Sequence, residues 1–269
     1  MADAERIFIT GGASGLGRAL AARYRSAGWR VAIGDVHEQR GQQAAAELGA
    51  EWFHCDVRRS EDLEAVAAAL LERWGGVDIV VNNAGVASGG VMEEIALEEW
   101  ARVIDINFMG VVRGCKVFAP LMKKQRAGHI VNIASMAGLM NLPLMSTYNA
   151  SKAAVISLSE TLRHELVAHR VRVSVVCPSF FRTNLAESLA SSTSSNVVTL
   201  TKRWVADNKI SADTIADRIF RGVARNDVHI ITHTETKLAW MAKRLLPYGL
   251  FAGAIDRGQK RFLDKPSSS

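Results

Sequence analysis

Short apolar, β-branched runs alternate with stretches of helical periodicity along most of the chain, and the first run ends in a cluster of glycines. Arg6 to Thr10 reads as a strand that turns through Gly11 to Gly17 into the helical pattern Leu16 to Ala27, closed by Gly28. Trp29 to Gly34, Glu51 to His54 and Val77 to Val81 read as further strands. Between them lie a helix at Gln39 to Leu48 and another behind Ser60, its expected N-cap, where Leu63, Val66, Ala67, Leu70, Leu71 and Trp74 recur at helical spacing. The plan then repeats. A helix from about Glu98 to Lys124 is expected to stop at Gly128, before the strand His129 to Ala134. A helix at Thr147 to Ala168 leads into the strand Val171 to Cys177, which Pro178 ends; a helix at Ala212 to Ala224 and a strand at Val228 to Ile231 follow. Parallel strands need long right-handed crossovers, so this alternation predicts an α/β fold: a doubly wound parallel sheet of about seven strands, helices on both faces, in a single domain.

Composition narrows the function classes. Of 269 residues, 48% are apolar and 22% charged, enough for a large core and against wholesale disorder. Cys55, Cys115 and Cys177 match neither a disulfide framework nor a metal-ligand spacing, so reduced thiols, no metal and a cytoplasmic location are expected. The N-terminus lacks a signal-peptide core, and no apolar run approaches the ~20 residues of a membrane helix. The formal charge of +6 is concentrated from Thr232 onward, where seven Lys or Arg face three acidic residues; without a basic stripe interleaved with aromatics, no nucleic-acid partner is expected.

The glycine turn Thr10-Gly11-Gly12-Ala13-Ser14-Gly15-Leu16-Gly17 lies where a strand meets a helix N-terminus, which suits a pyrophosphate: glycines allow close approach, and free N–H groups carry partial positive charge. The same glycines would also serve a plain tight turn. Asp35, closing the second strand, stands where a carboxylate reaches ribose hydroxyls, or else caps the next helix. It would repel a 2′-phosphate, and Ser14 brings no positive charge to the turn, so NAD is expected over NADP. Asp56-Val57 and Asn82-Asn83-Ala84-Gly85 follow the third and fourth strands, at the sheet end where such folds bind ligands, although both also suit ordinary turns.

Tyr148 and Lys152 stand four apart on one helical face. Their ordinary pKa values, about 10 and 10.4, suit neither for acid–base work at neutral pH, but an ammonium beside a phenol lowers the phenol's pKa. Such a pair fits a carbonyl/alcohol reaction, in which a proton shuttles as hydride moves. Ser135, just past an apolar strand, can hold the substrate oxygen against Tyr148. Asn107, inside the apolar helical run Val103 to Phe108, reads either as a satisfied core amide or as the anchor of a water relay to Lys152.

With these residues in place, the chain from about Arg6 to Ile231 resembles the short-chain dehydrogenase/reductase family, a Rossmann-like fold. Thr10, Gly11, Gly15 and Gly17 match its T-G-x-x-x-G-x-G turn, Asn82 to Gly85 its N-N-A-G motif, and Tyr148 to Lys152 its Y-x-x-x-K motif, with Ser135 thirteen residues upstream. The resemblance implies Tyr148 as general acid/base and Lys152 lowering its pKa and holding the nicotinamide ribose. It implies Ser135 orienting the carbonyl and Asn107 positioning a relay water. Pro178, Phe181 and Thr183 fall in the family's P-G-x-x-x-T segment, where Thr183 is expected at the nicotinamide carboxamide; Ser179 replaces the glycine and restricts the backbone there. The resemblance also favours a homodimer or homotetramer packed through the long helices.

Residues 1–231 are thus expected to form a dinucleotide-binding and catalytic domain with a Ser/Thr-rich substrate lid at about 184–207. Residues 232–269 are expected to form a basic, partly apolar C-terminal extension. Leu139, Met140, Leu142, Leu144, Met145, Phe180, Phe181 and Leu185 are expected around a small hydrophobic alcohol or ketone. Leu245 to Ile255, apolar and flanked by Lys and Arg, reads as packing on the sheet edge or a neighbouring subunit, or as a pocket entrance or peripheral membrane contact. Two alternatives remain: an NADP-dependent reductase of 3-oxoacyl thioesters, and a catalytically silent NAD-binding sensor.

Overall fold

The computed structural model describes residues 4–182, 208, 210–253 and 256. Seven strands form one sheet: β1 (Arg6–Thr10), β2 (Arg30–Asp35), β3 (Glu51–His54), β4 (Ile79–Asn82), β5 (Gly128–Ile133), β6 (Val171–Cys177) and β7 (His229–Ile231). Their spatial order is β3-β2-β1-β4-β5-β6-β7, every pair parallel. The order reverses between β1 and β4, and ligands bind open α/β sheets outside the carboxyl ends of the strands at such a point.

Helices α1 (Gly15–Ser26), α2 (Glu38–Leu48) and α3 (Ser60–Trp74) belong to the first half; α4 (Leu97–Ile104), α5 (Gly110–Gln125), α6 (Ala137–Met140), α7 (Ser146–Leu166), α8 (Ala212–Ala224) and α9 (Thr234–Leu245) to the second. Strands β4 and β5 are buried at every position, as strands covered on both faces must be. One core cluster joins Phe8, Leu63, Leu70, Phe118, Met122 and Val155 on one face; the other joins Ile7, Ile9, Leu20, Tyr24, Ile33, Ile215 and Ile219 on the opposite face.

Three local expectations are corrected. The helix expected over 98–124 is interrupted by a π-helical segment, Asp105–Met109, in which the Gly110 N–H reaches back to the Asp105 carbonyl. Arg113 also donates to that carbonyl, at 3.4 Å, and pairs with the Asp105 carboxylate at 2.7 Å. Ser60 is the first helical residue of α3 rather than its cap; Arg59 stands at the cap position without a side-chain capping bond. α5 ends not at Gly128 but at Arg126, whose left-handed backbone (φ 51°) closes it, while Gly128 opens β5. Two helices carry no distinct sequence signal: α6 has four residues, and α9 turns an apolar row outward. Among the described residues, no helix is long and apolar enough to cross a membrane.

Candidate active site

A cleft of about 650 Å³ opens at the carboxyl ends of β1, β2, β4 and β5 and runs from Asp35 to Phe181. At its nucleotide end, two sequence motifs are tied together by Thr10. The Thr10 hydroxyl accepts the Asn83 and Ala84 N–H groups at 2.9 and 3.0 Å, and the Asn83 side-chain amide donates to the Thr10 and Gly11 carbonyls at 2.8 and 3.2 Å. Gly11 has φ +64°, and a Cβ there would stand 2.9 Å from Ala84 Cα; at Gly17 a Cβ would meet the Gly11 carbonyl oxygen at 2.2 Å. Only glycines let this turn, the β4 turn and the start of α1 pack so closely. Gly11, Ser14, Gly15 and Leu16 line the cleft, whereas Gly17 lies behind it, so its contribution is the packing that brings the α1 N-terminus to the wall.

Asp35 is buried and lines the cleft. One carboxylate oxygen accepts the Ala13 N–H at 3.1 Å and the other the His37 N–H at 3.0 Å, so it holds the glycine turn as well as facing the nucleotide end. Asp56 and Val57 are on the wall too, and Arg58 forks onto the Asp56 carboxylate at 2.6 to 3.0 Å, holding that carboxyl below its ordinary range. Asn83, Ala84 and Gly85 complete this side, while Asn82 turns into the core and donates to Asn132 at 2.8 Å. Sequence reasoning missed His37, Arg40 and Arg58 on this wall. The available signal was position: they follow the carboxyl ends of β2 and β3.

At the other end, α7 presents Tyr148 and Lys152 one turn apart, with Lys152 Nζ 5.8 Å from the phenol ring centroid. Lys152 Nζ donates to the Ile133 carbonyl at 2.9 Å. Ser135 follows β5; its Oγ accepts the Ala137 N–H at 3.1 Å, and its side chain faces the Tyr148 hydroxyl and eases its ionisation. Burial dominates the acid–base character here. It pushes Tyr148 up to about 12 against the opposing Ser135 bond, and pulls Lys152 down to about 8 against a small opposing effect of Cys177. Removal of the phenol from water thus outweighs the lowering by Ser135 in this structure.

Asn107 is fully buried inside the π segment, and its amide is already bonded: Oδ1 accepts Val86 N–H at 2.8 Å, and Nδ2 donates to Val86 O at 3.0 Å and Ser151 Oγ at 3.3 Å. A Cβ on Gly85 would stand 3.1 Å from Asn107 Oδ1 and 3.4 Å from Lys152 Nζ, so Gly85 admits both to one corner. Breaks of this π type recur at functional sites because they re-aim a helix's backbone and side chains.

Leu142, Leu144, Met145, Phe180 and Phe181 line the cleft at this end with Pro178. Leu139 and Met140 do not; α6 points them into the core. Ser179 does not adopt a positive φ, so the residue replacing the family's glycine sits without left-handed backbone strain. Thr183, Leu185 and the lid expected at 184–207 lie outside the described residues. Among the described residues, no group of three or more His, Cys, Asp and Glu is placed to hold a metal.

The fold and the two ends of this cleft define a nicotinamide-binding oxidoreductase. A family model described as short chain dehydrogenase matches residues 5–194, and the chain belongs to the short-chain dehydrogenase/reductase family. It is similar to a putative oxidoreductase, SadH, of Mycobacterium tuberculosis, 33% identical over 248 residues that cover 88% of this chain and 89% of that one. A 3-oxoacyl-[acyl-carrier-protein] reductase of a Synechocystis strain is 32% identical over 192 residues, 69% of this chain and 78% of that one. The crystal structure of a short-chain dehydrogenase/reductase from Burkholderia phymatum in complex with NAD superposes with a TM-score of 0.84 at 35% identity, over 90% of this chain and 93% of that one.

Proposed function

We propose that this chain interconverts a hydrophobic secondary alcohol and its ketone with NAD, using Tyr148 as general acid/base. The observation that carries this reading is the grouping of half-buried Ser135 with buried Tyr148 and Lys152 at the apolar end of a cleft whose other end has a glycine turn and Asp35. The residues present fit a dinucleotide. The packing around Gly11 and Gly17 leaves the N-terminus of α1 open to an anion, and Asp35 faces the nucleotide end as a partner for ribose hydroxyls. When bound, the nicotinamide supplies or takes up the hydride.

The chain's own residues then handle the proton. In the reduction, Ser135 Oγ and Tyr148 Oη hold the carbonyl oxygen, and Tyr148 gives it the hydroxyl proton as negative charge develops there. Lys152, charged at neutral pH with a pKa near 8, offsets the phenolate left behind. Phe180, Phe181, Leu142 and Met145 keep water away from the reacting carbon. Thr183 is proposed at the carboxamide.

The test is kcat/KM across a homologous series of secondary alcohols, with NAD and NADP in parallel. Efficiency should rise up to about fourfold per added methylene, as ~0.8 kcal/mol of burial per CH₂ gives. A flat series would end the hydrophobic-substrate reading, and a preference for NADP would end the cofactor reading. One observation favours the second reading, an NADP-dependent reductase of 3-oxoacyl thioesters: Arg40 lies on the cleft wall beside His37 and Asp35, where a cation would meet a 2′-phosphate.

A further inference from the structure

The last described stretch of chain turns apolar side chains outward. Ala239 and Trp240 of α9 pack inward against the core, Trp240 with its ring 5.3 Å from that of His229. Lys243 Nζ donates to the Leu139 carbonyl at 2.6 Å, and Phe251, in the helical residues 248–253, packs on the same core. These contacts fix which face of α9 looks out. It carries Leu238, Met241 and Leu245, spaced i, i+3 and i+7 and 62%, 44% and 79% exposed. Leu246, Tyr248 and Leu250 extend the row. Six of the thirteen large apolar side chains exposed among the described residues therefore fall between 238 and 250. A surface helix ordinarily turns its polar face to water, and an apolar concentration of this kind marks a contact surface.

Charge selects the occupant. Exposed Lys237 and Arg244 border the apolar row, and the acidic residues described nearby, Glu235 and Asp256, stand beyond its two ends. From Thr232 onward the sequence holds seven Lys and Arg against three acids. An apolar row edged by cations matches the boundary between acyl chains and anionic headgroups, where apolar burial and attraction to the negative surface add. A second copy covering the same row would bring like cations together. We propose that the outer face of α9, continued by residues 246–250, docks on an anionic lipid surface, with Leu238, Met241 and Leu245 submerged and Lys237 and Arg244 against the headgroups. The bond from Lys243 to Leu139 ties this face to α6, whose chain leads directly into Leu142, Leu144 and Met145 of the cleft wall.

The experiment is co-sedimentation of the full chain with phosphatidylcholine vesicles, with and without phosphatidylglycerol. The wild type should pellet with the anionic vesicles, weakly with phosphatidylcholine alone, and be released by raised salt. L238S/M241S/L245S should lower the partition coefficient at least about tenfold, from the lost apolar burial. K237E/R244E should remove the preference for anionic vesicles by at least about tenfold. Because its three side chains are exposed, the triple serine variant should keep the wild-type Tm and circular dichroism spectrum; K237E/R244E, which also loses the Arg244 guanidinium 4.7 Å from the Trp240 ring centroid, should keep the spectrum. Wild type remaining in the supernatant with both vesicles, or the triple serine variant pelleting as well as wild type, overturns the proposal. So does analytical ultracentrifugation showing that the triple variant dissociates an oligomer while vesicle binding is unchanged, which would make a second copy the occupant.

Discussion

Lys152, on α7, donates to the carbonyl oxygen of Ile133, the last residue of β5, at 2.9 Å. That single bond fixes the amine at the carboxyl end of the central strand, within a site where it is almost wholly removed from water. Burial holds its pKa near 8 rather than 10.5. The unfolded chain therefore binds a proton that the folded chain lacks between about pH 8 and 10.5, so the destabilisation is fully present below pH 8 and is relieved as pH rises.

The first prediction follows from that sign. At about 1.4 kcal/mol per unit, the buried charge costs on the order of 3 kcal/mol at pH 7, partly offset by the bond to Ile133. Lys152→Met should therefore leave Tm at pH 7 equal or raised while turnover falls ~100-fold or more. A marked drop in Tm would show that Lys152 stabilises the fold on balance.

Tyr148→Phe separates chemistry from packing. Tyr148 is buried, and its hydroxyl meets Ser135. The phenyl ring fills the same space, so NADH affinity, measured by fluorescence titration, should stay near wild type. Turnover should fall ~100-fold or more, the usual contribution of a positioned acid/base. Retention of a tenth of the activity would move the proton-transfer role elsewhere.

How much was legible in the sequence depended on whether the signal was local. The Gly11 turn, Asp35, Asn83 to Gly85 and the Tyr148/Lys152 spacing sit at strand ends, where short motifs report geometry directly, and the structure gathers them along one cleft. The π segment around Asn107 was not legible, because its apolar pattern fits one continuous helix and only the tertiary contact of its amide with Val86 marks the break. Leu139 and Met140 were misplaced for a related reason: a four-residue helix gives too short a pattern to say which side faces the cleft. The acid–base balance of Tyr148 depends on burial, which spacing alone does not encode.

His129 provides a pH prediction away from the site. It is fully buried, its Nε2 is 2.8 Å from Ser174 Oγ, and that hydroxyl donates to the Asp227 carbonyl at 2.6 Å. Nε2 therefore carries a proton toward Ser174 Oγ, and among the described residues Nδ1 has no partner. Burial, with Arg172 adding, lowers its pKa from 6.5 to about 3. Across that window the unfolded state takes up a proton that the folded state refuses, so stability present above pH 6.5 is lost on acidification, by up to about 5 kcal/mol. His129→Gln should flatten the Tm-against-pH curve between pH 6.5 and 4. An unchanged slope would assign acid sensitivity to other groups.

Asp35 serves two purposes that one substitution can separate. Its carboxylate holds the Ala13 and His37 N–H groups, and its charge lies on the wall where a 2′-phosphate would approach. Asp35→Ser removes that repulsion and brings Arg40 and His37 into play, so kcat/KM should move from NAD toward NADP by at least about tenfold; rejecting the wrong cofactor rests partly on such unfavourable contacts. The same change leaves the buried Ala13 N–H short of its acceptor, at about 1–3 kcal/mol where the serine hydroxyl fails to replace it, while the His37 N–H is open to water. Thermal unfolding should therefore shift downward together with the cofactor ratio. Lower stability with an unchanged ratio would mean that Asp35 only braces the glycine turn, and that cofactor choice is set by Arg40 and its neighbours.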